Sequence, residues 1–145
     1  MQYVQVLQFP FIAVVLLFTD LSLRYACFAY CASGVRTFIG LTPYQNHWFV
    51  FSIALPTVGI FLVTACALLF FIYTAVTRWR VAEWREKFAF VLILTGAAGN
   101  MLDRIFLGYV RDFIKVAHGY CNIGDVYILA GIILLIILSV RIKHT

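Results

Sequence analysis

Charge is what this chain has least of: 12% of its 145 residues are charged, and only six are acidic. Set against 64% hydrophobic residues and a mean hydropathy of +0.99, that scarcity excludes a soluble domain, whose apolar share is nearer half. Strict alternation is scarce too. Apolar runs such as residues 132–140 are continuous, which excludes the in-and-out pattern of a transmembrane barrel. Backbone polar groups in lipid must be satisfied within the chain, so helices remain. The four cysteines do not read as a disulfide framework. Cys27 and Cys31 fall on one expected helix with no third or fourth ligand nearby, Cys66 at mid-membrane and Cys121 outside it, and no metal site is expected. His47, His118 and His144 are scattered, none at ligand spacing with another. No repeat, low-complexity tract or linker interrupts residues 1–145, so a single integral membrane domain is expected. The net charge of +5 suits contact with anionic lipid, and nothing in the composition points to nucleic acid.

A helix needs about 20 predominantly apolar residues to cross the hydrocarbon. Four stretches qualify, residues 3–23, 49–77, 88–106 and 126–140, the last borrowing residues at its flanks. The first contains Pro10 and has no basic region before it, so it is expected to be a retained span and not a removed signal peptide. Arg78, Arg80, Arg85 and Lys87 precede the third span, and Arg141 and Lys143 follow the fourth. The positive-inside tendency makes that face cytoplasmic, and with four spans both termini lie there. Arg36, Arg104, Arg111 and Lys115 sit on or near the other side, an excess that an anionic or carbonyl-rich ligand would explain. Residues 30–48 and 107–122 then emerge on the outer face. The first outer segment carries Gly34, Gly40, Pro43 and an alternation over residues 35–41, which predicts a short strand or small sheet lying on the membrane. Tyr44, Trp48 and Phe49 fit an interfacial aromatic belt. The expected fold is an all-α membrane protein of four transmembrane helices, with a small extracytoplasmic β/loop substructure after the first.

Ionisable residues at membrane depth are expensive and point to function. They concentrate in the stretch Gly96-Ala97-Ala98-Gly99-Asn100, Asp103-Arg104, Gly108, Val110, Asp112-Phe113, Asn122 and Asp125. On one continuous helix Asp112 and Asp125, 13 positions apart, would stand about 20 Å from each other. His118-Gly119-Tyr120 reads as a break, however, and a turn near Gly119 folds the two carboxylates together. Facing carboxylates a few ångströms apart cannot both ionise, so one keeps a proton at neutral pH. The ionised one activates a water while its protonated partner polarises the scissile carbonyl and later supplies a proton, the logic of an aspartic protease. Asp125, expected in the first turn of the fourth helix, gains about 0.3 to 1 kcal/mol for its negative charge from the helix dipole. It is the expected base, and Asp112 the holder of the shared proton, although the titration belongs to the pair. Asp20 and Arg24, four apart on one helix face, should pair whatever the function. Asp103 and Arg104 could pair locally and anchor the third helix.

Gly99-Asn100, Asp103-Arg104, Gly108, Val110, Asp112-Phe113 and Asn122-x-x-Asp125 closely resemble the bacterial lipoprotein signal peptidases, also called signal peptidase II. The resemblance extends over the whole chain. Asp20 to Arg24 is similar to that family's Asp-x-x-x-Lys element with arginine for lysine, and Asn46 with Phe51-Ser52 resembles its outer asparagine motif. It implies an aspartyl endopeptidase of the bacterial cytoplasmic membrane, active on the extracytoplasmic side. The implied reaction removes the signal peptide from diacylglyceryl-modified prolipoproteins, cutting before the lipidated cysteine. Asp112 and Asp125 would be catalytic, and Asn100, Arg104 and Asn122 would hold substrate or order the dyad. Asp20 and Asn46 are carried over as supporting binding residues. Partners would be the lipidated substrate, membrane lipid and globomycin-type inhibitors; no metal or organic cofactor is implied, and a monomer is expected. The chain departs from the family at His47-Trp48-Phe49, at Cys121, and at Gly124, where alanine is common, so its groove is expected to differ in shape. That groove should open sideways to lipid, with Trp48, Phe51 and Phe106 as lining residues. Two other classes use similar residues. A four-helix proton-coupled transporter would carry its charges near the midplane in inverted repeats, and a non-catalytic lipoprotein-binding scaffold would lack one of the aspartates.

Overall fold

A computed structural model describes residues 2–32, 41–47, 57–116 and 119–142. Four helices, α1 (Gln2–Ala32), α2 (Thr57–Arg78), α3 (Trp84–Leu107) and α4 (Ile123–Ile142), are each long and apolar enough to cross a membrane. Each expected span is recovered with shifted ends. α1 runs nine residues past its expected end at position 23, and α4 begins three before its expected start at 126, which puts Asp125 in its first turn. Residues 49–56, which open the expected second span and include Phe49, Phe51 and Ser52, lie outside the described residues, as does Trp48.

α3 is the centre of the bundle. Half of its membrane window is buried, against 11% for each of the other helices, and it packs against all three. Small residues permit this. A Cβ at Gly96 would run into the backbone carbonyl of Gly124, and one at Gly131 would stand 2.7 Å from the carbonyl oxygen of Ala89. Gly96 and Gly131 thus let α3 and α4 approach backbone to backbone, while Gly99 makes room for Asp20 and Arg24 of α1. At one end of the bundle Phe9 meets the edge of Trp79 at 5.2 Å, Trp84 stacks on Phe88, and Arg78 pairs with Glu86 at 2.8 Å. The start of α1 therefore shares a side with the basic α2–α3 connection, as the span count requires.

The other end carries a sheet. α3 stops at Gly108, whose left-handed conformation (φ 81°) lets its N–H reach the carbonyl oxygen of Arg104 at 3.1 Å. The chain then enters β2 (Val110–Val116) and doubles back into β3 (Gly119–Cys121), close to the break expected around Gly119. β1 (Leu41–Asn46) pairs antiparallel with the outer side of β2, giving the order β1-β2-β3. Tyr44 stands opposite Asp112 and Asn46 opposite Val110. Of the strand predicted over residues 35–41, residues 35–40 lie outside the described residues, and the described strand starts at Leu41. Its ladder shifts register between Leu41 and Tyr44, around Pro43, which has no N–H to donate and is tolerated on an edge.

Candidate active site

The helix bundle and the sheet meet over a cluster of buried polar side chains: Asp20 and Arg24 on α1, Asn100 and Asp103 on α3, Asp112 on β2, and Asn122 at the start of α4. Burying charges in lipid is costly unless each is paired and hydrogen-bonded. Here they are. Among the described residues no buried side-chain nitrogen or oxygen lacks a partner.

Asn122 and Asp125 close the amino end of α4 on each other. The Asn122 Oδ1 accepts the Asp125 backbone N–H at 3.0 Å, and the Asp125 Oδ2 accepts the Asn122 N–H at 3.2 Å. This reciprocal pair is a capping box built from Asn-x-x-Asp. The same Asn122 reaches the other carboxylate, its Nδ2 donating to Asp112 Oδ1 at 2.6 Å. One asparagine therefore bridges the two aspartates that the sequence paired. Asn100 Nδ2 donates to Asp125 Oδ1 at 2.8 Å, and Asn46 Nδ2 to Asp112 Oδ2 at 2.8 Å. Both carboxylates thus receive side-chain amide donors, one from a helix and one from the edge strand.

Their surroundings differ. Asp112 is 1% exposed, whereas Asp125 is only partly buried. Burial pushes the Asp112 carboxyl up to about 6, and the negative charge of Asp125 adds to that; the donors Asn122 and Asn46 and the charge of Arg24 pull the other way without offsetting it. Asp125 sits at a helix amino terminus, where the dipole favours negative charge. Cys121, between sheet and α4, has its thiol pushed up by burial and then by the charges of Asp125 and Asp112, so it is held away from the nucleophilic thiolate.

Arg24 lies beneath this pair. It donates to Asp20 through Nε at 3.0 Å and Nη2 at 2.6 Å, to Asp103 through Nη1 at 2.9 Å, and to the Oδ1 atoms of Asn100 and Asn122 at 2.8 Å each. Asp20 accepts the Gly124 backbone N–H at 3.0 Å on its other oxygen. Asp103 does not pair with its neighbour Arg104: its carboxylate takes Arg24, the Arg111 backbone N–H at 3.0 Å and the Arg111 guanidinium at 2.7 Å. Consecutive residues on a helix face different ways, so the partner comes from another element. Arg104 is partly buried and within electrostatic reach of Asp125 and Asp112, and among the described residues no carboxylate lies within 4.0 Å of it. Of the residues singled out in the sequence, Asp112, Asp125, Asn100, Asn122 and Asn46 converge directly, Asp20 joins through Arg24 and Gly124, and Arg104 stands at the rim. Sequence reasoning missed Arg24 as the hub and Arg111 as the second clamp on Asp103. It also passed over the i, i+3 spacing of Asn122 and Asp125 as a capping signal.

Comparison with known proteins places this geometry in a family. The family model for signal peptidase (SPase) II matches residues 12–141. A lipoprotein signal peptidase of Francisella tularensis subsp. novicida is 30% identical over 94% of each chain. One from Streptococcus pyogenes serotype M5 is 35% identical over 68% of this chain and 67% of its own. Among solved structures, a bacterial membrane enzyme determined by the in meso method at 2.3 Å superposes with a TM-score of 0.75 at 22% identity, covering 92% of this chain and 88% of that one. A second, at 1.9 Å, gives 0.71 at 23% identity over 91% and 92%. These two share the fold. The family match spans all four helices and every residue of the buried cluster, and the chain therefore belongs to the signal peptidase II family of proteases, as a multi-pass bacterial membrane protein.

Proposed function

We propose that this protein is an aspartyl endopeptidase that removes the signal peptide from diacylglyceryl-modified prolipoproteins, cutting before the lipidated cysteine. The observation that carries this reading is the Asn122 bridge, which holds Asp112 and Asp125 in one network while leaving them in unlike environments. Unlike environments separate an acid from a base. Asp125, capped by backbone N–H and Asn100, takes a proton from water as the water oxygen bonds to the scissile carbonyl carbon. Asp112 gives its proton to the carbonyl oxygen. Collapse of the tetrahedral diol breaks the C–N bond, Asp125 passes its proton to the leaving amine, and Asp112 recovers its own. No metal or organic cofactor is required by these steps.

Each remaining residue has a place in this scheme. Arg104, without an ion-pair partner among the described carboxylates, is the cation for substrate carbonyls. Asn100, Asn122 and Asn46 order the dyad, and Asp20 acts one layer behind them. A cleft beside the cluster, lined by Leu21, Leu102, Phe106 and Leu107 with Asp103 and Arg111 at its polar edge, supports sideways entry from lipid with the acyl chains still in the bilayer. We place the dyad on the extracytoplasmic side and both termini in the cytoplasm, in one peptidase unit over residues 1–145 that works as a monomer and is blocked by globomycin-type inhibitors.

The test is gel-shift cleavage of a purified diacylglyceryl-modified prolipoprotein by the native chain, Asp112→Asn and Asp125→Asn in one detergent. Native cleavage is expected, with a loss of about a thousandfold or more in each variant, because an amide serves neither as acid nor as base. Folded native protein that leaves a validated substrate intact would favour a binding scaffold.

A further inference from the structure

A side-chain amide has a direction, Nδ2 donating and Oδ1 accepting. Both dyad carboxylates depend on it: reversed, Asn100 or Asn122 would aim an oxygen at a carboxylate. Alongside the Asp125 N–H, which also holds the Asn122 Oδ1, Arg24 engages both orientations at once. Its Nη2 donates to the Oδ1 of Asn100 and of Asn122 at 2.8 Å each, which leaves Asn100 Nδ2 for Asp125 and Asn122 Nδ2 for Asp112. A guanidinium carries donors only and keeps its charge, so neither amide can turn without setting its NH2 group against another donor. The guanidinium is itself held from two sides, by Asp20 and Asp103.

Gly124, the residue before Asp125, is where this device touches the catalytic helix. A Cβ there would stand 2.7 Å from Arg24 Nη2, 3.0 Å from Asn122 Oδ1 and 3.2 Å from Asp20 Oδ2, closer to the guanidinium than real side chains come. The outer nitrogen of Arg24 stands nearest to the space that a side chain at position 124 would take. We propose that Arg24 is the positioning residue of the dyad, fixing the orientation of Asn100 and Asn122, and that Gly124 is the space its guanidinium requires, so that positions 24 and 124 act as a matched pair. A lysine ends about one atom short of Nη2 and presents a compact ammonium in place of the planar fork. It would remove the shortest of the three contacts that an alanine at 124 meets, leaving Asn122 Oδ1 at 3.0 Å and Asp20 Oδ2 at 3.2 Å to give by a few tenths of an ångström.

This inference rests on the aspartyl reading, and its test separates the two. Cleavage of the lipidated prolipoprotein is measured for the native chain, Arg24→Lys, Gly124→Ala and the double variant, with gel filtration and thermal midpoint as controls on folding. Gly124→Ala is expected to lower kcat by about tenfold or more with KM held within about twofold, since the amides lose their register while the groove stays intact. The double variant is expected to exceed Gly124→Ala in kcat by about threefold or more, a rescue that additive damage cannot give. Native kcat in Gly124→Ala, or a double variant as slow as the product of the single losses, overturns the pairing. If Gly124→Ala does not fold, the double variant is set against Arg24→Lys: equal kcat supports the pairing and a further loss of about tenfold overturns it. Asp112→Asn is run alongside. Cleavage lost there without coupling between 24 and 124 overturns the positioning role alone; cleavage retained there overturns the dyad and this inference with it.

Discussion

Asp112 is under two opposed influences, and the balance has a consequence in pH. Burial, reinforced by Asp125, raises its carboxyl to about 6, while Asn122, Asn46 and Arg24 stabilise the ionised form. With Asp112 as the acid, kcat/KM, which reports the free enzyme, should fall about tenfold per unit as pH rises above about 6. Asn46→Ala removes one of the stabilising donors, so the carboxyl should hold its proton to higher pH and the falling limb should move up. A limb that stays in place or moves down would remove Asp112 from the role of acid. The same group affects stability. Its folded value lies above the ordinary carboxyl value of 3.8, so the folded chain binds the extra proton between those limits. Its contribution to stability is complete below about 3.8 and is lost as pH rises through about 6. The two aspartates, Asn100 and Asn122 were legible in the sequence because they crowd a short polar stretch of an otherwise apolar chain. Arg24 was legible only as half of an i, i+4 pair. Its other partners lie 76, 79 and 98 positions away, and no local pattern joins them.

Among the elements, the α3–α4 crossing sets how closely Asn100 approaches Asp125. Gly96 and Gly131 make the crossing possible, Gly96 level with Gly124 at the site and Gly131 deeper, against the Ala89 carbonyl and Ile93. Gly131→Val adds three carbons where even a Cβ would stand 2.6 Å from Ile93 Cγ1. Overpacking of this kind costs about 1 to 3 kcal/mol. The thermal midpoint in detergent should fall by several degrees, about 2 to 8 °C, and cleavage should fall with it although the substitution lies away from the dyad. An unchanged midpoint would mean that the helices do not cross at Gly131. The helices themselves were plain in the sequence, since long apolar runs have one solution in lipid. The strands were not. Period-two alternation pointed to residues 35–41, of which only Leu41 is described; β1 contains Pro43, and β2 buries Asp112 and Phe113 side by side, which breaks the alternation that would announce it. β1 and β2 are defined by pairing across more than sixty intervening residues, a relation that single-strand patterns do not carry.

At the scale of the whole molecule, polarity is sorted by end. Asp20, Arg24, Asp103, Arg111 and Asp112 gather where the sheet caps the bundle, while Arg78, Glu86, Lys87 and Trp79 gather at the opposite end. Between them α1, α2 and α4 expose large apolar side chains such as Phe18, Leu62, Phe70 and Leu129, a surface suited to lipid on nearly all sides. A bundle so divided has two possible orientations, and only one would present the proposed dyad to prolipoprotein signal peptides on the outer face. The basic α2–α3 connection favours that one, because Lys and Arg in short loops stay cytoplasmic. Two single cysteines read the choice in intact cells, each in a chain whose own cysteines are replaced: Thr42→Cys, exposed on β1, and Glu83→Cys, exposed between α2 and α3. A membrane-impermeant thiol reagent should label the first at once and the second only after permeabilisation. The reverse pattern would put the sheet and the aspartates in the cytoplasm, where a signal peptide emerging on the outer face cannot reach them, and would end the assignment of extracytoplasmic cleavage whatever the dyad does in detergent.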